Sequence, residues 1–196
     1  MTTNILGFSG SLRLDSLNRR LTRAARDLAP AGLDISLFDR LAEVPLFNED
    51  LEAVWPAGPG SVDELRGLVT HSDGLLIATP EYNQSISGVM KNVVDWLSRP
   101  DDAAALDGKP VAIMGATTGS WGTRYAQKEL RHALTAAGAI VMPQPMLFVA
   151  NGERAFDTAG RLADPAVERR LVQLLTGFHR WIALVSDPPR LVASGA

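Results

Sequence analysis

Ser9-Gly10-Ser11-Leu12-Arg13-Leu14-Asp15-Ser16-Leu17-Asn18-Arg19 is the stretch whose residue types and spacing best suit chemistry, and that chemistry is phosphate binding. It follows the apolar run Asn4-Ile5-Leu6-Gly7-Phe8 and reads as a loop between a buried strand and a helix. Small residues let backbone N–H groups turn inward. The hydroxyls of Ser9, Ser11 and Ser16 and the amide of Asn18 supply neutral donors, and Arg13 supplies a charged fork. The start of the following helix adds a dipole that favours an anion. An Arg in such a turn can instead tether the loop to a carboxylate, but a hydroxyl-rich setting favours an anion ligand. Ser9 and Ser11 lack a neighbouring His or acid to activate them as nucleophiles. Nothing in the chain performs redox or hydrolytic chemistry unaided, so a phosphate-bearing cofactor is expected.

Two further turns supply what the rest of such a ligand needs. After the apolar run 74–79 comes Pro80-Glu81-Tyr82-Asn83-Gln84-Ser85, where Pro80 stiffens the exit and Tyr82 offers an aromatic wall. Backbone N–H groups and two amide side chains there suit a planar ring with alternating donors and acceptors, such as an isoalloxazine. After the run 111–115 comes Ala116-Thr117-Thr118-Gly119-Ser120-Trp121-Gly122-Thr123, a hydroxyl-rich turn opening another helix. One such turn is a weak signal, since many strand-to-helix turns look alike. Three on one edge are stronger. Glu81 has no partner carboxylate for acid–base work, so its backbone is expected to matter more than its charge. Lys91 and Asp95, four apart, read as a surface pair.

Short apolar runs alternate with segments of helical period, the pattern of a parallel sheet built from strand–helix–strand units. Strands are expected near 4–8, 33–38, 74–79, 110–115 and 139–148. Helices are expected after the first strand, at 61–72 with Ser61 as cap, at 87–98, at 123–137 with Gly138 beyond its end, and at 165–185 with Asp164 as cap. In the first helix Leu17, Leu21, Ala24 and Leu28 face the sheet, while Arg19, Arg20, Arg23 and Arg26 read as a solvated face in preference to a site for a nucleotide 2′-phosphate. The segment 41–60 is a long Pro-containing connection of a kind that is usually functional or disordered. Segment 150–164 reads as a turn excursion. The resulting fold class is α/β, a flavodoxin-like three-layer sandwich around a five-stranded parallel sheet of order 2-1-3-4-5. In such sheets ligands bind beyond the carboxyl ends of the strands, at the switch point between strands 1 and 3. Residues 1–186 are expected to form one domain and 187–196 a loose tail.

Composition narrows the partners. A net charge of −3 over 196 residues argues against nucleic acid. With no Cys, thiolate and disulfide chemistry is excluded, and His71, His132 and His179 match no metal-ligand spacing. No apolar run approaches a membrane span, and the start lacks a signal-peptide pattern, so a cytoplasmic protein is expected. The helix after Asn83 carries Ile86, Val89, Met90, Val93, Val94, Trp96 and Leu97, an apolar arc wide enough to suggest a homodimer, or a homotetramer, packed through it.

Three motifs together resemble the NADPH-dependent FMN reductase family, which includes flavin, quinone, azo-dye and chromate reductases. They are Gly10-Ser11-Leu12-Arg13-x-x-Ser16-x-Asn18-Arg19, then Pro45-Leu46-Phe47-Asn48-Glu49-Asp50, then Pro80-Glu81-Tyr82-Asn83-x-Ser85-x-x-Gly88-x-x-Lys91-Asn92-x-x-Asp95-Trp96-Leu97. The resemblance implies FMN, with its phosphate held by Ser11, Arg13, Ser16, Leu17 and Asn18. Pro80, Glu81, Tyr82 and Asn83 would run along the isoalloxazine, and Ser85, Thr117, Thr118 and Gly119 would close the site. It also implies NADPH or NADH as electron donor and a small-molecule electron acceptor. A flavodoxin-type electron carrier is the alternative, although such a carrier should be more acidic. Two positions depart from the family pattern: Tyr125 stands where an Arg is common, and Gln84 where Gly or an aromatic is common.

Overall fold

The computed structural model describes residues 2–55 and 58–186. Its strands are β1 (Thr3–Ser9), β2 (Leu33–Phe38), β3 (Gly74–Ala78), β4 (Pro110–Ala116), β5 (Ile140–Val141) and β6 (Leu147–Val149). The helices are α1 (Leu17–Asp27), α2 (Glu49–Val54), α3 (Gly60–His71), α4 (Gly88–Leu97), α5 (Arg124–Ala136) and α6 (Pro165–Ser186). The strands form one parallel sheet in the order β2-β1-β3-β4-β5, with β6 also paired to β4. The expected tail at 187–196 lies outside the described residues.

Alternation along the buried strands splits the core into two layers, because successive side chains point to opposite faces. Leu75, Ile77, Val111 and Ile113 pack with α3, α4 and α5. Leu76, Ala78, Ala112 and Met114 pack with α1 and α6 on the other face. No helix among the described residues is long and apolar enough to cross a membrane.

Four local expectations are corrected. The strand expected over 139–148 is two short strands, because Pro143 and Pro145 lack the N–H that a ladder needs. β5 pairs with Pro110 and Val111, and the chain regains the sheet at β6 beside Met114 to Ala116. Helix α3 starts at Gly60 rather than beyond Ser61, whose hydroxyl donates to the Glu43 carbonyl (2.9 Å) instead of capping. The connection 41–60 includes a 3-10 turn at Leu41–Glu43 and helix α2. It lies as a strap against α4: Phe47 meets the Trp96 ring edge-on at 5.0 Å, Asn92 brackets Phe47 N–H and the Pro45 carbonyl, and Trp96 Nε1 donates to that same carbonyl. This strap also settles the apolar arc of α4. Met90, Val93, Val94, Trp96 and Leu97 are buried inside the chain, between the sheet and the strap, while Ile86 and Val89 are half-buried against the same core. The solvent side of α4 carries the Lys91–Asp95 pair at 2.5 Å.

Candidate functional site

The carboxyl ends of β1, β3 and β4 lie side by side, and their three outgoing loops meet there. Gly10 N–H donates to Ala78 and Thr79 N–H to Met114, so each loop leaves in register with the next strand's end. Gly10 keeps this junction tight: a Cβ would stand 2.7 Å from the Met90 methyl and 3.2 Å from both Pro80 and the Ser87 hydroxyl. Ser87 caps α4 and donates to the Gly10 carbonyl at 2.7 Å, which binds the start of the first loop to the end of the second.

A cleft of about 170 Å³ opens between the loops, lined by Ser11, Arg13, Ser16, Leu17, Asn18, Pro80, Glu81, Tyr82, Ala116, Thr117 and Thr118. Ten of the thirteen expected residues are therefore brought together. Asn83, Ser85 and Gly119 stand just behind the lining: Tyr82 and Ser85 exchange two backbone hydrogen bonds of 3.0 Å across a two-residue turn, and Gly119 N–H is held by the Thr117 hydroxyl. Both central residues of that turn, Asn83 (φ 52°) and Gln84 (φ 62°), are left-handed. Asn tolerates that conformation well, whereas Gln adopts it at a cost on the order of 1 kcal/mol. Ala116 is the lining residue that sequence reasoning missed, because an alanine ending a strand carries no chemical signal.

The two ends of the cleft differ in character. At the α1 end Ser16 caps the helix through Arg19 N–H, and the N–H groups of Leu17 and Asn18 head the first turn without an acceptor among the described residues. Arg13 is exposed and makes no hydrogen bond or ion pair among the described residues. Neutral hydroxyls, first-turn N–H groups and one uncommitted guanidinium form a donor set suited to a phosphate dianion. Asn18 is nine-tenths buried or more, and its amide brackets the backbone of Ala116, donating to the carbonyl (3.0 Å) and accepting from the N–H (2.9 Å). It thus splices α1 to the end of β4, with one amide proton left over.

At the other end the Glu81 carboxylate accepts from the N–H groups of Tyr125 (2.9 Å) and Ala126 (3.1 Å). Its backbone is expected to matter more than its charge; its side chain also caps α5. The enclosed volume is below the roughly 300–1,000 Å³ of ordinary ligand pockets, so a bound ligand keeps much of its surface outside the walls. Exposed Leu14, Tyr82, Trp121 and Tyr125 belong to these same loops and to the start of α5.

A larger groove of about 480 Å³ runs along α1 and carries Arg19, Arg20, Arg23, Arg26 and Arg161. Four of these are already matched: Arg19 with Asp39 (3.7 Å), Arg20 with Asp15, Arg26 with Asp27 (2.9 Å) and Arg161 with Asp157 (3.0 Å). Hydrogen bonds from Arg161 N–H, the Arg161 guanidinium and Ala159 N–H hold the Asp157 carboxyl below the usual carboxylate range. Arg23 and Arg26 are solvated as expected, whereas Arg19 and Arg20 are half-buried in their ion pairs; with four of the five guanidinium groups matched, the smaller cleft is the stronger site.

Comparison with known proteins agrees with the geometry. Residues 3–154 match the sequence pattern of the NADPH-dependent FMN reductase family. An NAD(P)H-dependent FMN reductase of Pseudomonas aeruginosa is 39% identical over 178 residues, covering 91% of this chain and 94% of that protein. A 2-hydroxy-1,4-benzoquinone reductase of a Burkholderia species is 33% identical over 182 residues, covering 93% and 97%. Among solved structures, the flavoenzyme NAD(P)H:(acceptor) oxidoreductase FerB of Paracoccus denitrificans superposes with a TM-score of 0.84 at 33% identity, covering 93% of this chain and 98% of that one.

Proposed function

Because the chain belongs to the NADPH-dependent FMN reductase family, we propose that the cleft between the three loops holds FMN and that the protein passes electrons from NAD(P)H to a small oxidant. Quinones, flavins, azo dyes and metal oxyanions form the acceptor class. The observation that carries this reading is the uncommitted donor set at the start of α1, set beside the Pro80–Ser85 turn on the next strand. When bound, FMN supplies the two-electron chemistry, taking a hydride from the nicotinamide and delivering electrons to the acceptor.

The protein's own residues bind, orient and shield. Ser11 and Ser16 hydroxyls, the Leu17 and Asn18 N–H groups and the Arg13 guanidinium hold the phosphate. Pro80, Glu81, Tyr82 and Asn83 present backbone and an aromatic ring along the isoalloxazine, and Ser85, Thr117, Thr118 and Gly119 brace the walls. No acid–base dyad lines the cleft, which suits a reaction whose hard chemistry belongs to the cofactor. The exposed Leu14, Tyr82, Trp121 and Tyr125 support a homodimer in which a second copy covers the open side. The electron-carrier alternative is not favoured, since relatives matching over nine-tenths of their length are named as reductases.

One open mouth must serve donor and acceptor in turn. Initial rates of NADPH and NADH oxidation, measured at several concentrations of a benzoquinone, are expected to give parallel double-reciprocal lines. Intersecting lines would mean that both substrates bind together, against a single shared mouth.

A further inference from the structure

We propose that Glu81 is a positioning residue: its carboxylate is the N-terminal cap of a helix 44 residues away, and it sets the spacing of the two walls that flank the ring end of the cleft. Helix α5 starts without help from its own N-cap. Thr123 makes no capping bond, and its buried hydroxyl instead accepts from Gln127 Nε2 at 3.0 Å. That hydroxyl sits in space that only a glycine at 115 leaves open, since a Cβ there would stand 2.0 Å from it and 2.6 Å from the Thr79 carbonyl. The first-turn N–H groups of Tyr125 and Ala126 are therefore left for a partner from elsewhere, and Glu81 Oε2 takes both.

The carboxylate also meets the positive end of the α5 dipole, which favours the contact. Glu81 is anchored on its own side by Pro80, which fixes the exit from β3, and by the Tyr82–Ser85 backbone pair. On the other side, α5 follows directly from the 117–123 turn, whose Thr117 and Thr118 line the cleft. One side chain thus joins the loop after β3 to the loop after β4. A clamp of this kind works through reach: it needs an acceptor oxygen at the end of a side chain as long as glutamate's. A proton carrier or a simple charge would need ionisation and would tolerate a shorter chain.

That difference gives the test, which rests on the FMN reading only in its second arm. Glu81→Gln, Glu81→Asp and Glu81→Ala would be compared with the parent protein. The first arm is amide hydrogen exchange at Tyr125 and Ala126 in the flavin-free protein; the second is the FMN dissociation constant. Glu81→Gln keeps the reach and the oxygen, so protection should stay within about threefold of the parent. Glu81→Asp and Glu81→Ala should lose about tenfold or more. FMN affinity should follow the same order, falling about three- to tenfold in Asp and Ala and little in Gln, because the walls are no longer pre-set. Protection retained by Asp and lost by Gln would show a role for charge and overturn the clamp, as would protection unchanged in every variant. Lost protection with unchanged FMN affinity would overturn its link to the cleft. If the parent protein itself bound no FMN, the FMN reading would fail, while the exchange arm would still decide whether the cap exists.

Discussion

Arg13→Ala is expected to weaken FMN binding about ten- to a hundredfold, whereas Lys91→Ala should change it little. Arg13 is the uncommitted guanidinium of the cleft; no carboxylate among the described residues competes for it. A hydrogen bond to a charged group contributes roughly 1.5–3 kcal/mol, and each 1.4 kcal/mol is tenfold in affinity. Lys91 is occupied with Asp95 on the solvent side of α4, where an exposed pair contributes only tenths of a kcal/mol. Flavin-fluorescence titration of both variants checks the contrast. Equal effects would remove the 9–18 loop as the phosphate site.

Asn18→Ala should carry the largest cost in stability. The substitution would strand the N–H and the carbonyl of Ala116, both buried at the end of a central strand. Each unsatisfied buried group costs about 1–3 kcal/mol, so a loss of about 3 kcal/mol is expected. In a chain of this length that corresponds to a fall in melting temperature on the order of 10 °C. Asn18→Asp should be intermediate in stability, since a carboxylate still accepts from the Ala116 N–H but faces the carbonyl without a proton. It should bind FMN worse than its stability implies, because it brings a negative charge toward the phosphate. A thermal shift under 2 °C for Asn18→Ala, by calorimetry, would show that the splice between α1 and β4 is dispensable; that threshold lies below about 1 kcal/mol.

Much of this was legible in the chain because the signals are local. The runs Ile5–Phe8, Leu75–Ala78 and Val111–Gly115 announce buried parallel strands, and the polar turns after them meet around one cleft. The cap Asp164 lies immediately beside the helix that it starts. What stayed hidden depends on residues far apart in sequence. The Asn18 amide reads as a phosphate donor until Ala116, 98 positions on, is beside it and takes both its oxygen and one of its protons. Glu81 reads as a lone carboxylate until α5 arrives with two unpaired N–H groups. The strap over α4 depends on Asn92 and Trp96 meeting Pro45 and Phe47, so its Pro-containing sequence suggests only a long connection. The break between β5 and β6 was the exception. Pro143 and Pro145 mark it locally, but the apolar residues around them mask the interruption.

The central claim is that the three loops form a site for a flavin bearing one terminal phosphate. Titrating the flavin-free protein with FMN, riboflavin and FAD, and following flavin fluorescence, tests it most directly. FMN should bind tightest. Riboflavin, which lacks the phosphate, should bind at least about a hundredfold more weakly, since it forgoes the Arg13 fork and the α1 donors together. FAD should also bind more weakly, because its second phosphate and adenosine must exit past Arg13. Riboflavin or FAD binding as tightly as FMN would contradict the phosphate site.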